Sequence, residues 1–165
     1  MQHGGVLAFL YRKRDVVITA KFATTIAAPA SKVWAELIDY EGYSKLPKIQ
    51  SAKVTKKGNE HPAGLGAIRE IKVDGITFVE EIVEFEPNRT LGYKIIACKP
   101  LPFEHEFGRM TLSEQGNVTH VSWETRFRIP IPLIGGVVTR LIKIPMGRTF
   151  QAILDAFKAR MEKSS

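Results

Sequence analysis

Apolar and polar residues alternate from Val16 to Ile26, the period of a strand with one wet face. Pro29 then fits the opening position of a helix. Ala30, Val33, Trp34, Leu37 and Ile38 follow at i, i+3, i+4, i+7 and i+8, a single apolar stripe that leaves Lys32 and Glu36 to solvent. Asp39-Tyr40-Glu41-Gly42-Tyr43 breaks the stripe, and Leu46-Pro47 closes a second short helix. From Ala52 to Ile129 the period is that of strands, punctuated by turn residues at Lys57-Gly58-Asn59, Asp74-Gly75, Glu86-Pro87-Asn88, Pro100-Leu101-Pro102 and Gln115-Gly116-Asn117. Roughly six strands without a crossover helix among them predict an antiparallel meander and argue against a parallel α/β sheet. A helical period resumes near Gly136, with an interruption expected at Pro145, and Phe150, Ile153, Leu154, Phe157 and Met161 form one amphipathic stripe. The class is α+β, and the long C-terminal helix has to lay that stripe on the concave face of the sheet.

Composition narrows this without redirecting it. A chain of 165 residues suits one domain, and 44% hydrophobic with 25% charged residues gives a globular chain rather than a disordered one. The predicted domain runs over 16–163, with 1–15 as an N-terminal extension. In that extension Val6 to Tyr11 is apolar but too short to span a bilayer, and Arg12-Lys13-Arg14 follows it rather than precedes it. It reads as an unstructured start, an early edge strand or a membrane-touching segment, not as a signal peptide or anchor. The single cysteine, Cys98, excludes an internal disulfide and cannot alone form a zinc site, so the cytoplasm is the default compartment. The net charge of +7 admits anionic partners, including transient contact with an anionic membrane surface. No aromatic-interleaved basic motif is present, and no specific nucleic-acid binding is expected.

The chain's wording adds a resemblance. Thr25-Ile26-Ala27-Ala28-Pro29-Ala30-Ser31-Lys32-Val33-Trp34, followed by Asp39-Tyr40, resembles the start of the first helix in the polyketide cyclase/dehydrase and lipid-transport superfamily, also called SRPBCC or START-like. Gly64-Leu65-Gly66, Val83-Glu84-Phe85-Glu86-Pro87 with Tyr93, and Gly116-Asn117-Val118-Thr119-His120-Val121-Ser122-Trp123 resemble its later strands, so the likeness spans about Val16 to Met161. It implies a helix-grip fold: a curved antiparallel sheet of about seven strands wrapped around a long C-terminal helix, with two short helices after the first strand. It also implies a cavity that in different members holds sterols, lipids, plant hormones, quinones or polyketides. The motifs are signatures of fold and bring no catalytic assignment.

Strand parity selects candidate wall residues independently. On one strand Val79, Glu81, Val83 and Phe85 share the more apolar face, with Glu81 as its one charge, and Phe78, Glu80, Ile82 and Glu84 share the other. The preceding strand puts Ala67, Arg69, Ile71 and Val73 on one face. A three-residue loop with Gly75 left-handed would set Arg69 opposite Val79 and make Glu81 its diagonal neighbour, whereas a two-residue Asp74-Gly75 turn would set Arg69 opposite Glu80. Leu91, Tyr93 and Ile95 share a face, as do Val121, Trp123, Thr125 and Phe127. The candidate ligand-binding residues are Arg69, Glu81, Tyr93, Trp123, Phe85, Phe127, Phe150 and Leu154. The competing assignment makes the charges edge residues whose heads reach water and makes Tyr93 and Trp123 plain core.

No nucleophile elbow, phosphate-cradling glycine loop or metal-type histidine spacing occurs, so neither a cofactor nor a metal is expected. The chain reads as a binding or transport protein for a small hydrophobic ligand more readily than as an enzyme. Any chemistry would be cofactor-free acid/base assistance of a cyclisation or dehydration, with Glu81 or His105 tuned by burial. His105 reads first as a strand histidine. A third possibility is a protein-interaction module, which an exposed apolar patch beside the basic surface would favour.

Overall fold

A computed structural model of the protein describes residues 16–163; the N-terminal extension therefore lies outside the described residues. β1 (Ile18–Ile26) leads into α1 (Ala30–Leu37), a 3-10 helix (Glu41–Lys45), and six further strands: β2 (Ile49–Lys56), β3 (Ile68–Val73), β4 (Ile76–Glu86), β5 (Thr90–Lys99), β6 (Glu104–Gln115) and β7 (Val118–Arg128). The long helix α2 (Gly135–Lys163) closes the chain. All seven strands form one antiparallel sheet in the order β1-β7-β6-β5-β4-β3-β2, so the meander folds round until its last strand meets its first. This is the helix-grip arrangement.

Each element follows from its residues. Pro29, extended at φ −66° and ψ 152°, caps α1 and supplies the fixed φ from which the helix starts. Ala30, Val33, Trp34 and Leu37 are its buried stripe, as their spacing predicts. In α2, Leu154, Phe157 and Met161 are buried against the sheet, and Phe150 wedges between Phe22 and Trp123 at centroid distances of 5.4 and 4.4 Å. The expected interruption at Pro145 does not occur, because the helix runs unbroken through it. Proline removes the hydrogen bond to the carbonyl of Leu141, and both residues are exposed, so water can satisfy that carbonyl.

Two irregularities shape the concave face. β4 carries one extra residue between the pairs Ile82–Tyr93 and Glu84–Gly92. The extra Val83 points to solvent at 50% exposure, and the strand's parity reverses beyond it. The ladder between β5 and β6 covers Thr90–Tyr93 against Gly108–Thr111 and then parts. Past that point the Ile95 N–H donates to His105 Nδ1 at 2.9 Å, so an imidazole replaces the missing strand partner.

Candidate functional site

Between the sheet and α2 lies a cavity of about 230 Å³. An engineered cavity of roughly 150 Å³ already accepts benzene, so this space takes something larger than a single aromatic ring. Its walls are chiefly apolar, with Leu37 and Leu46 from the helical segment after β1, Ile71, Phe78 and Ile95 from the sheet, and Phe150 and Leu154 from α2. Ile49 and Ile76 line it beside the β3–β4 hairpin, where Thr149 Oγ1 donates to Asp74 Oδ2 at 2.9 Å and ties α2 to the hairpin.

A buried ion pair interrupts the apolar wall. Asp74 and Gly75 both have positive φ, 47° and 83°, the two-residue turn that suits a tight hairpin. That turn sets Arg69 opposite Glu80. Arg69 Nε and Nη2 both lie 2.7 Å from Glu80 Oε2, and both residues are buried. Among the described residues, Arg69 Nη1 is the buried side-chain polar atom with no hydrogen-bond partner. The guanidinium lies 4.5 Å from the ring centroid of Tyr40 and 5.4 Å from those of Tyr43 and Tyr93. Burial alone would lower the pKa of Arg69, but the negative charge of Glu80, its hydrogen-bond partner beside these phenol rings, holds the pKa above its usual range.

Those phenols are firmly neutral. Burial raises the pKa of Tyr40, Tyr43 and Tyr93, and the positive charge of Arg69 offsets only part of the rise. Tyr40 donates its hydroxyl to the Ala63 carbonyl at 2.7 Å, and Tyr43 donates to the Leu37 carbonyl at 2.5 Å. Tyr93 accepts a 3.0 Å hydrogen bond from Trp123 Nε1. Its ring leans over Gly108, where a Cβ would stand only 2.1 Å from Tyr93 Cζ.

The sequence candidates therefore divide. Arg69, Tyr93, Trp123, Phe150 and Leu154 line the cavity. Glu81 does not join them: the two-residue turn brings the opposite face of β4 inward, so the carboxylate beside Arg69 belongs to Glu80. Phe85 does reach the interior, by the parity reversal at Val83, but it packs edge-on against Trp34 at 5.1 Å, outside the cavity lining. Phe127 is buried behind the wall, stacked on Phe103 at 4.9 Å. Glu80, Tyr40 and Tyr43 were not among the candidates. Glu80 was legible as the residue opposite Arg69 under the two-residue turn, and the two tyrosines only as aromatics in the segment that breaks the first helical stripe.

His105 is a strand histidine. Its Nδ1 accepts from the Ile95 backbone, and its Nε2 lies 2.9 Å from Thr125 Oγ1. The backbone donor fixes the neutral tautomer with the proton on Nε2. Burial, helped by nearby Lys94, pushes its pKa down to about 4. Both ring nitrogens are engaged, which leaves the imidazole no free position from which to act as a base.

The sequence pattern of the family described as polyketide cyclase / dehydrase and lipid transport matches residues 17–162. The chain belongs to that family. Its fold is shared by solved structures. The Zhui aromatase/cyclase from Streptomyces sp. R1128 superposes with a TM-score of 0.76 at 18% identity, covering 90% of this chain and 95% of that one. A START superfamily protein from Mycobacterium smegmatis gives 0.72 at 16% identity, over 89% and 99% of the two chains. The di-domain aromatase/cyclase StfQ of the steffimycin biosynthetic pathway gives 0.73 at 14% identity, over 92% of this chain and 52% of that one. Likeness at such identities speaks for the fold. No curated protein matches the chain.

Proposed function

We propose that the protein binds and carries a small, mostly apolar molecule bearing one oxygen-rich end, with Arg69 as its anchor. The observation that carries this reading is the partnerless Nη1 of Arg69, a buried charged donor in the wall of an otherwise apolar cavity. A buried donor without a partner costs about 1–3 kcal/mol, a deficit that a carbonyl, carboxylate or phenol oxygen of a ligand would relieve. Apolar contact alone would be weak. Burying about 300 Å² at roughly 25 cal/mol per Å² contributes 7 to 8 kcal/mol, comparable with the cost of association itself. The Arg69 donor is what would turn marginal affinity into useful affinity.

Carriage is favoured over turnover by the state of the titratable groups. The phenols stay protonated, Glu80 is held by Arg69, and His105 has both nitrogens engaged. A cyclase or dehydratase of this family type would need a group able to accept a proton near neutrality.

The test is denaturing extraction and mass spectrometry of protein purified from its native host, beside Arg69→Met, which keeps the bulk of the side chain. A near-stoichiometric molecule of this kind in the wild type and its loss in the variant is expected, while both still take up an uncharged apolar dye. Protein that emerges empty and excludes the dye would end the cavity reading.

A further inference from the structure

The N-terminal half of α2 is apolar on two opposite sides. Ile142, Pro145 and Met146 line the cavity. Val137, Leu141 and Ile144, spaced at i, i+4 and i+7, face away and are 55%, 69% and 65% exposed. A helix apolar all round is normally covered, and a contiguous exposed patch of this sort marks a contact surface.

The surrounding charge indicates what covers it. Arg140, Lys143 and Arg148 are exposed on the same stretch, and Arg148 extends the apolar stripe at i+11. No Asp or Glu occurs between Glu124 and Asp155, and the whole chain carries +7. The stripe is aliphatic throughout and lacks the aromatic anchors that dominate protein contacts. An aliphatic stripe edged by one sign of charge matches the boundary of an anionic bilayer, with acyl chains below and phosphates beside them.

We propose that this face of α2 lies on the surface of a membrane containing anionic lipid. Val137, Leu141 and Ile144 enter the boundary between headgroups and acyl chains, and Arg140, Lys143 and Arg148 meet lipid phosphates. Among the described residues no helix is long and apolar enough to cross a membrane, so the helix lies on the bilayer rather than through it. Pro145 and Thr149 belong to the same turns and to the lining of the cavity, so docking sets this wall of the cavity beside the lipid. The proposal goes beyond the ligand-binding reading and is tested without any ligand.

The experiment is co-sedimentation of the full chain with vesicles of phosphatidylcholine alone or mixed with phosphatidylserine, at low and raised salt. Binding to the mixed vesicles only, weakened by salt, is expected. L141E/I144E should weaken it by at least about tenfold, because two carboxylates enter an apolar, anionic boundary. R140Q/K143Q/R148Q should lose roughly fivefold per residue. All these positions are exposed, so both variants should melt with the wild type. In an independent readout, Val137→Trp should shift its emission to the blue with mixed vesicles. Equal binding to both lipids, or no binding, overturns the proposal. So does binding that L141E/I144E leaves intact but substitution of Arg12-Lys13-Arg14 abolishes, which would assign the contact to the N-terminal extension. A vesicle-blind protein whose dimers L141E/I144E dissolves would assign the face to a second copy of the chain.

Discussion

The two ends of the cavity are built on opposite principles. Where α1, the 3-10 helix and the C-terminal half of α2 converge, the polar groups are buried and tied: Arg69 to Glu80, Tyr40 to Ala63, Tyr43 to Leu37. At the β3–β4 hairpin the N-terminal half of α2 is held through the Thr149–Asp74 hydrogen bond, and Asp74 also reaches Lys48 at 3.7 Å, in contacts open to solvent. Buried ties are therefore concentrated in one region and exposed ones in the other. Local opening takes place where few buried contacts must break, so the hairpin end should fluctuate more than the surroundings of Arg69.

Substitutions should separate the two ends, and the largest effect belongs to the ion pair. Arg69→Ala strands Glu80 in an apolar wall and is expected to destabilise the protein by about 3–5 kcal/mol in urea unfolding. Replacing Arg69 and Glu80 together by methionine should recover most of that, because a stranded charge costs more than a missing pair. Next comes a comparison within one helix. Leu154→Ala, at a side chain only 1% exposed, should cost about 3 kcal/mol, whereas Ile144→Ala on the N-terminal half should stay within about 0.5 kcal/mol. Equal costs at these positions would erase the contrast between the two halves of α2.

Acid should act through His105, which lies between the ends. Its pKa falls from 6.5 to about 4 on folding, so as the pH drops the unfolded chain takes up the proton first. The stability due to the neutral imidazole is complete above about pH 6.5 and drains away between there and about pH 4. The loss should be on the order of 3 kcal/mol, and His105→Asn should flatten this part of the pH profile of the melting temperature. The smallest effect is at the β3–β4 hairpin. Thr149→Val removes one exposed hydrogen bond and should cost less than about 1 kcal/mol, yet hasten release of an apolar dye measured by stopped flow. Unchanged release would mean that the Thr149–Asp74 tie does not limit access.

The order of strands and the buried stripes of both helices were legible because each rests on a period that a dozen residues repeat. What escaped the sequence depended on one residue more or fewer. The choice between Glu80 and Glu81 hung on whether Asp74-Gly75 makes a two- or three-residue turn, and both lengths suit those residues. Val83 gave no sign of being the extra residue in its strand, so Phe85 was assigned to the right side of the sheet through the wrong parity, and not to its true partner Trp34. His105 looked like any strand histidine, because its duty at the parting of β5 and β6 exists only once those strands have separated. Tyr40 and Tyr43 sit where no period is readable, and their gathering over Arg69 is a product of tertiary folding.

Gly108 shapes the wall of the pocket. Because that position carries no side chain, the ring of Tyr93 can recline across it. A single methyl group there would meet that ring, which would have to shift and take this part of the cavity wall with it. Position 108 thus sets the shape of the wall from beneath it, while the Arg69–Glu80 pair is untouched.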